Sequence, residues 1–257
     1  MAAALFGAGE HSFGRFASAR VADLCGRLGL ALTVLGAVLH AVSVVLRGIA
    51  GGRVPWGNMY EYLSAVGLIA VVAWLYVVWR HGVRRLSVFV LLPIALLLFL
   101  AGNQLYTEVA PLQPALRSYW ITIHVAAAIM ASSVFLLSGV LSGLHLLSAR
   151  GRSHLPPAEI LDRVAYRAGV IGFATLTFAI VTGAIWAEQA WGRYWGWDPK
   201  ETFAFVSWLC YAAYLHARST AGWRGRNSAW INVIGMVAVL FNLFFVNLVT
   251  VGLHSYA

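Results

Sequence analysis

Long apolar runs separated by short polar punctuation dominate the chain. They cover Leu28 to Leu46, Asn58 to Trp79, Leu86 to Leu105, Tyr119 to Leu147, Ala168 to Ala187, Thr202 to Leu215 and Trp230 to Leu248. Most approach the ~20 residues that a helix needs to cross a hydrocarbon core of about 30 Å. A spanning segment must satisfy its own backbone hydrogen bonds, so the pattern predicts an all-α, polytopic membrane helix bundle with about seven transmembrane helices. The fourth run is the longest and predicts a tilted helix or one that extends beyond the bilayer. Ahead of the first run, Phe13, Phe16, Val21 and Leu24 recur at roughly helical spacing. That spacing predicts that residues 1–27 form an interfacial N-terminal segment.

The punctuation is also informative. Asn58 precedes Met59-Tyr60-Glu61, and Asp198 precedes Pro199-Lys200-Glu201. Each pattern sets a capping residue three positions before an acid, and the second adds proline at the first helical position. Ser148 to Arg167, with Pro156 and Pro157, is the most polar stretch and reads as a loop. Neither a repeat nor a low-complexity linker divides the chain, so residues 1–257 are expected to form a single integral membrane domain.

Composition strengthens this picture and removes one alternative. Hydrophobic residues make up 61% of the chain and charged residues 11%, against about a quarter charged in soluble domains. The 18 Lys and Arg outnumber the 9 Asp and Glu, but they sit in the links between apolar runs. There they act as topology signals and not as a nucleic-acid surface. With the N-terminus inside, the inner set is Arg15, Arg20, Arg27, Arg80, Arg84, Arg85, Arg150, Arg152, Arg163, Arg167, Arg218, Arg224 and Arg226. The outer set is Arg47, Arg53, Arg117, Arg193 and Lys200, which gives thirteen against five of the 18. This bias predicts an outward C-terminus and an outward loop over residues 188–201. Cys25 and Cys210 form no Cys-x-x-Cys pair, so any dithiol exchange has to come from a partner.

The outward loop carries the candidate chemistry. Trp186, Trp191, Tyr194, Trp195 and Trp197 crowd around Asp198, Lys200 and Glu201. Flat aromatic faces beside charges at a helix end suit a large planar ligand. The tryptophans also fit an interfacial belt, and Asp198 and Glu201 also fit a plain helix cap. His124 and His254 fall on the same side as the loop. Two neutral imidazoles beside an aromatic shelf match axial ligation of a heme iron, while a headgroup-facing helix end and a tail residue are the alternatives. His216 lies fifteen residues after Glu201, some 22 Å further along a helix and toward the other leaflet. His145 falls near the depth of His216 and His40 in the outer half. Each is either a heme contact or a hydrogen-bonded core histidine. His11, His81 and His154 read as solvated loop residues.

The run Trp191-Gly192-Arg193-Tyr194-Trp195-Gly196-Trp197-Asp198-Pro199-Lys200-Glu201 resembles the tryptophan-rich WWD signature of the heme-handling proteins of cytochrome c biogenesis. Its Asp-Pro-Lys-Glu continuation and the downstream Tyr214-Leu215-His216-Ala217-Arg218 are similar to the CcsA (ResC) branch, more than to the CcmC or CcmF branches. The similarity extends from Pro55-Trp56-Gly57-Asn58-Met59-Tyr60-Glu61 onward and fades before it; many relatives are longer at the N-terminus. The resemblance implies delivery of heme b across a bacterial plasma or thylakoid membrane and its presentation for covalent attachment to the Cys-x-x-Cys-His of apocytochrome c.

It further implies the core subunit of a cytochrome c synthase (heme lyase) complex with a CcsB/ResB partner, supplied with reduced thiols by another protein. His124 and His254, in Ile121-Thr122-Ile123-His124-Val125 and Gly252-Leu253-His254-Ser255-Tyr256, match the outward heme ligands. His216 matches one ligand of a deeper heme whose opposite ligand comes from the partner. Trp191, Trp195, Trp197 and Asp198 belong to the heme-binding loop, and Arg193 and Lys200 are placed by charge to meet the propionates. Two other functions remain open: a CcmC-type heme exporter without attachment activity, and a b-type electron-transfer subunit using His40, His145 and His216.

Overall fold

A computed structural model describes residues 19–149, 155, 157–220, 222–250 and 252–254. These residues are helical wherever they are regular, with no strand among them. Seven long helices follow the apolar runs: α1 Ala19–Gly51, α2 Met59–His81, α3 Ser87–Gln104, α4 Tyr119–Ser148, α5 Ala158–Trp191, α6 Pro199–Ser219 and α7 Arg226–Phe241. A π-helical segment Asn242–Val246 and a last turn Asn247–Val249 prolong α7.

Six of these helices, all but α6, are long and apolar enough to cross a membrane. The terminal turns of α6 carry Lys200, Glu201, His216 and Arg218, which dilutes its hydropathy. It nevertheless runs the depth of the bundle. Asp198 at its start meets Leu253 and His254 beyond α7, and Arg218 at its end binds Asp162 in the first turns of α5.

Two boundaries differ from the sequence expectation. Residues 19–27 continue into α1 as one helix instead of forming a separate element, while Phe13 and Phe16 lie outside the described residues. The fifth helix begins at Ala158, well before the expected Ala168, directly after Pro157. Its first turns carry Glu159, Asp162, Arg163 and Arg167, so their charge suggested a loop. Such residues are acceptable helix formers where a helix projects past the apolar layer.

At the centre of the bundle, α4 packs against α2, α3, α5 and α7. Small and hydroxylic residues bring the backbones close and supply hydrogen bonds within the apolar interior. Ser138 donates to the Ala165 carbonyl at 2.7 Å, and the Asn232 amide donates to the Ser138 and Ser142 hydroxyls, each at 2.8 Å. This clasp ties α4, α5 and α7 into one unit.

A second fixture secures the end of the bundle that carries the tryptophan loop. Glu61 is only 2% exposed and accepts from Arg47 Nε at 2.8 Å, Arg53 Nη1 at 2.7 Å and the Gly57 N–H at 2.7 Å. Both arginines also donate to the loop before α4, at the Thr107 and Ala110 carbonyls. The expected cap is present, since Asn58 Oδ1 accepts from the Glu61 N–H. Glu61 itself is spent on the arginines and Gly57. Glu61→Ala should therefore cost about 3–5 kcal/mol, because it strands two half-sequestered guanidinium groups. Denaturant unfolding in detergent checks this, and a loss below about 1 kcal/mol would show that water replaces the carboxylate freely.

Candidate functional site

The site forms where α4 begins, α5 and α7 end, and α6 begins. Gly192, with φ of 71°, ends α5 in the left-handed conformation that glycine adopts without steric cost. The chain then turns through Arg193 to Trp197 and re-enters a helix at Pro199. Asp198 caps this helix by accepting from the Lys200 N–H at 2.9 Å. Glu201 closes the capping box by accepting from the Asp198 N–H at 3.1 Å and also takes the Gly196 N–H at 2.8 Å.

Asp198 does more than cap. Its Oδ2 accepts from the Leu253 N–H at 2.7 Å, and its Oδ1 lies 2.9 Å from His254 Nδ1. The carboxyl is 7% exposed. Burial opposes its ionisation, but the His254 hydrogen bond and the Lys200 and Leu253 N–H groups outweigh that and hold it down at about 2. The C-terminal turn is thus pinned to the start of α6, and His254 is a fixed group instead of a tail residue.

His124 is held in a parallel way. Its Nδ1 lies 2.7 Å from the Ala179 carbonyl on α5. The ring reaches α5 over Gly183, where a Cβ would sit 2.6 Å from His124 Nδ1. A carbonyl and a carboxylate are both acceptors, so each neutral ring keeps its proton on Nδ1. Each Nε2 is left as a bare lone pair, the orientation that a hydrogen-bond acceptor behind the ring gives to a metal-binding imidazole.

Trp186 joins the two histidines. It is 1% exposed and stacks on His124 at 6.2 Å and 12°. It also meets His254 at 5.5 Å and Trp191 at 4.7 Å, both edge-on. Its indole N–H donates to the Ala115 carbonyl, which fixes it to the loop before α4. Two cavities share His124, His254, Tyr62 and Lys200 as walls. The larger, of about 490 Å3, is also lined by Arg53, Trp56, Arg117 and Trp186. The smaller, of about 120 Å3, adds Tyr194 and Trp195. Their combined walls pair apolar faces with convergent basic groups, as small-molecule sites do.

The structure therefore brings together His124, His254, Trp191, Asp198 and Trp195 from the expected set. Trp197 is on the rim: it is 66% exposed, sits at φ 56°, and packs edge-on against Trp195 at 5.7 Å. His216 lies at the far end of α6, exposed to the surroundings. Of the two charges placed against the propionates, Lys200 lines both cavities, while Arg193 packs over Gly196 and lines neither. Tyr62, Arg53 and Arg117 were not expected as site residues, while Trp186, one of the aromatics expected beside the loop, lies between the two histidines. Tyr62 sits inside an apolar run, where an aromatic signals core packing; the Pro55 to Glu61 similarity was the one signal near Arg53.

Comparison with known proteins shows the family and the fold. The family described as Cytochrome C assembly protein matches residues 56–254. The cytochrome c biogenesis protein CcsA of Parasynechococcus marenigrum (strain WH8102) is 35% identical over 88% of this chain and 85% of its own length. CcsA of Guillardia theta is 33% identical over 89% of this chain and 85% of its own length. The cytochrome c heme lyase CcmF has the same fold over 95% of this chain, with a TM-score of 0.64 and 16% identity, and this chain spans 44% of its length. The chain belongs to the cytochrome C assembly protein family, within its CcsA group.

Proposed function

We propose that this chain carries heme b across a bacterial plasma or thylakoid membrane and presents it at the tryptophan loop for attachment to apocytochrome c. The observation that carries this reading is the His124/His254 pair, with both Nδ1 atoms committed to fixed acceptors around one buried tryptophan. Heme is the cargo, and the paired Nε2 atoms supply two axial positions for its iron. Trp186, Trp191 and Trp195 support the porphyrin, and Lys200, Arg53 and Arg117 offer cationic partners for its carboxylates. The names of the CcsA relatives support cytochrome c biogenesis as the setting. The partners are a CcsB/ResB-type membrane protein, a thiol-reducing protein and the apocytochrome itself. His216, exposed at the other end of α6, would be a ligand for a deeper heme shared with that membrane partner.

Sidedness is the first test. In a chain whose Cys25 and Cys210 are replaced by serine, a membrane-impermeant thiol reagent should label Arg193→Cys in intact cells and leave Arg224→Cys unlabelled. The opposite pattern would place the histidine pair on the inner face and end this reading.

Close packing provides another test. Gly183→Val should drive the His124 ring off Ala179, because even a Cβ at that position meets Nδ1 at 2.6 Å. Heme retained by the purified chain should fall at least tenfold while the helix content by circular dichroism stays the same. Full retention would mean that His124 does not hold the iron.

A further inference from the structure

The link between α3 and α4 forms one wall of the 490 Å3 cavity through Leu112 and Leu116, opposite Thr122 and His124. Its two halves are held differently. Next to α4, the buried Trp186 donates to the Ala115 carbonyl at 2.9 Å and the Ser118 hydroxyl donates to Gln189 at 2.8 Å, so this half is fixed to α5. Residues 106–113, by contrast, make no backbone–backbone hydrogen bond to any helix among the described residues. Side chains hold them instead: Arg47 donates to the Thr107 carbonyl, Arg53 donates to the Ala110 carbonyl from Nε and Nη2, both at 3.4 Å, and Arg117 donates to the Leu112 carbonyl at 3.0 Å.

The relative strength of these contacts decides which part yields. Arg47 and Arg53 are anchored from below by the Glu61 carboxylate at 2.8 and 2.7 Å, whereas they hold the link only through neutral carbonyls, and Arg53 does so at the long limit of a hydrogen bond. Thr107 to Pro111 are exposed, so water can take over their carbonyls when the link lifts. The apolar hold is small as well. Leu112 seats against Gly57, where a Cβ would meet its Cδ2 at 2.4 Å. Few buried contacts and solvent-exposed ties mark a segment that opens locally. Elsewhere the wall is packed helix, and Ser133 on α4 donates to the Val66 carbonyl on α2 at 3.0 Å.

We propose that residues 106–113 are a lid over the outer cavity, hinged where Ala115 and Ser118 are fixed and latched by Arg47 and Arg53 on Glu61. That heme passes beneath the lid rests on the heme-carrying reading above; the lid itself rests on these contacts. Arg53 lines the cavity and also holds Ala110. An acid group arriving beneath the lid therefore competes with the Ala110 carbonyl for one guanidinium, and a carboxylate is the stronger acceptor. A carboxylate-bearing ligand thus loosens the latch from inside, while a neutral one leaves it closed.

The test measures access to the cavity first without heme. In a detergent-purified chain carrying Cys25→Ser and Cys210→Ser, a water-soluble thiol reagent is timed as it modifies Thr122→Cys on the far wall. Gly57→Ala should raise that rate at least tenfold, because its methyl displaces Leu112 and props the lid. A disulfide between Gly51→Cys and Val109→Cys should lower it at least tenfold; a Cβ at Gly51 would lie 3.1 Å from Val109 Cγ1, within reach of a bridge. If neither change moves the rate, the link is a fixed wall and the lid is overturned. With Thr122 restored, ferric heme should enter the bridged chain at least tenfold more slowly than the same chain after reduction, to the same final Soret absorbance, a reversal that misfolding does not give. Equal rates of heme entry would remove the lid from the route and leave the heme site standing. Thiol rates that respond in chains that take up no heme would keep the lid and end the heme reading.

Discussion

Replacing either His124 or His254 with alanine should abolish cytochrome c maturation, a loss of at least a hundredfold in assembled cytochrome. On the proposed axial pairing, each variant would leave the iron with one axial partner, although the aromatic walls and basic groups remain. Imidazole added to the medium should partly restore assembly by filling the vacated position beside Trp186, which lies against both rings. The double variant should be no worse than either single one, because two ligands of one iron act as a unit and their losses do not add. Two independent roles would give multiplied losses. His216→Ala supplies the contrast: made with the membrane partner, it should lose both the deeper heme proposed for His216 and the heme at the outer site, even though the outer ligands are intact. A His216→Ala chain with a normally loaded outer site would remove that histidine from the route. Normal maturation by both single variants would dismiss the axial pair.

Much of this architecture was legible in the sequence because hydrophobic run length is a strong signal. The seven helices lie where the apolar runs lie. Periodicity could not locate helix ends that project into polar surroundings. The first turns of α5 carry Asp162 and Arg163, and their charges were read as loop because nothing in the local sequence reveals that Asp162 meets Arg218 on α6. Depth along a helix was readable from 1.5 Å per residue, so His124, His145 and His216 could be assigned to ends. Facing could not be read, because it depends on neighbours from distant segments. His216 is exposed, whereas His145 is buried against a cavity.

The same limit explains Trp186. From sequence it is one of several aromatics around the loop, and only the return of the chain at Leu253 and His254 makes it the hinge of the site. Asp198 and Glu201 show the opposite case. A cap and a site role were competing readings of Asp198, and the structure has it capping α6 and holding His254 with one carboxylate, so they were never alternatives.

Asp198 is therefore the position where a minimal change should have a disproportionate effect. Its two oxygens receive three hydrogens, from the Lys200 N–H, the Leu253 N–H and His254 Nδ1–H. Asparagine has nearly the same shape but replaces one oxygen with a donor. In one flip its amide points at the Leu253 N–H, and in the other at Lys200 and His254, so every arrangement sets the amide against at least one donor. Asp198→Asn should behave almost as badly as Asp198→Ala, which removes the cap for about 1–2 kcal/mol and releases the C-terminal turn. Loss of an orienting acceptor of this type lowers metal affinity or activity about 10–100-fold. Heme retained at the outer site should fall within that range for both variants. Asp198→Glu should recover little, since a longer arm cannot keep both the α6 cap and the His254 contact.

The residual heme gives the decisive measurement. A carboxylate on Nδ1–H makes the imidazole a stronger donor and favours ferric iron, so removing the negative charge should raise the reduction potential of the heme that remains in Asp198→Asn. A purely structural cap would lower occupancy and leave the potential of the occupied fraction unchanged. That outcome would reduce Asp198 to its role at the start of α6.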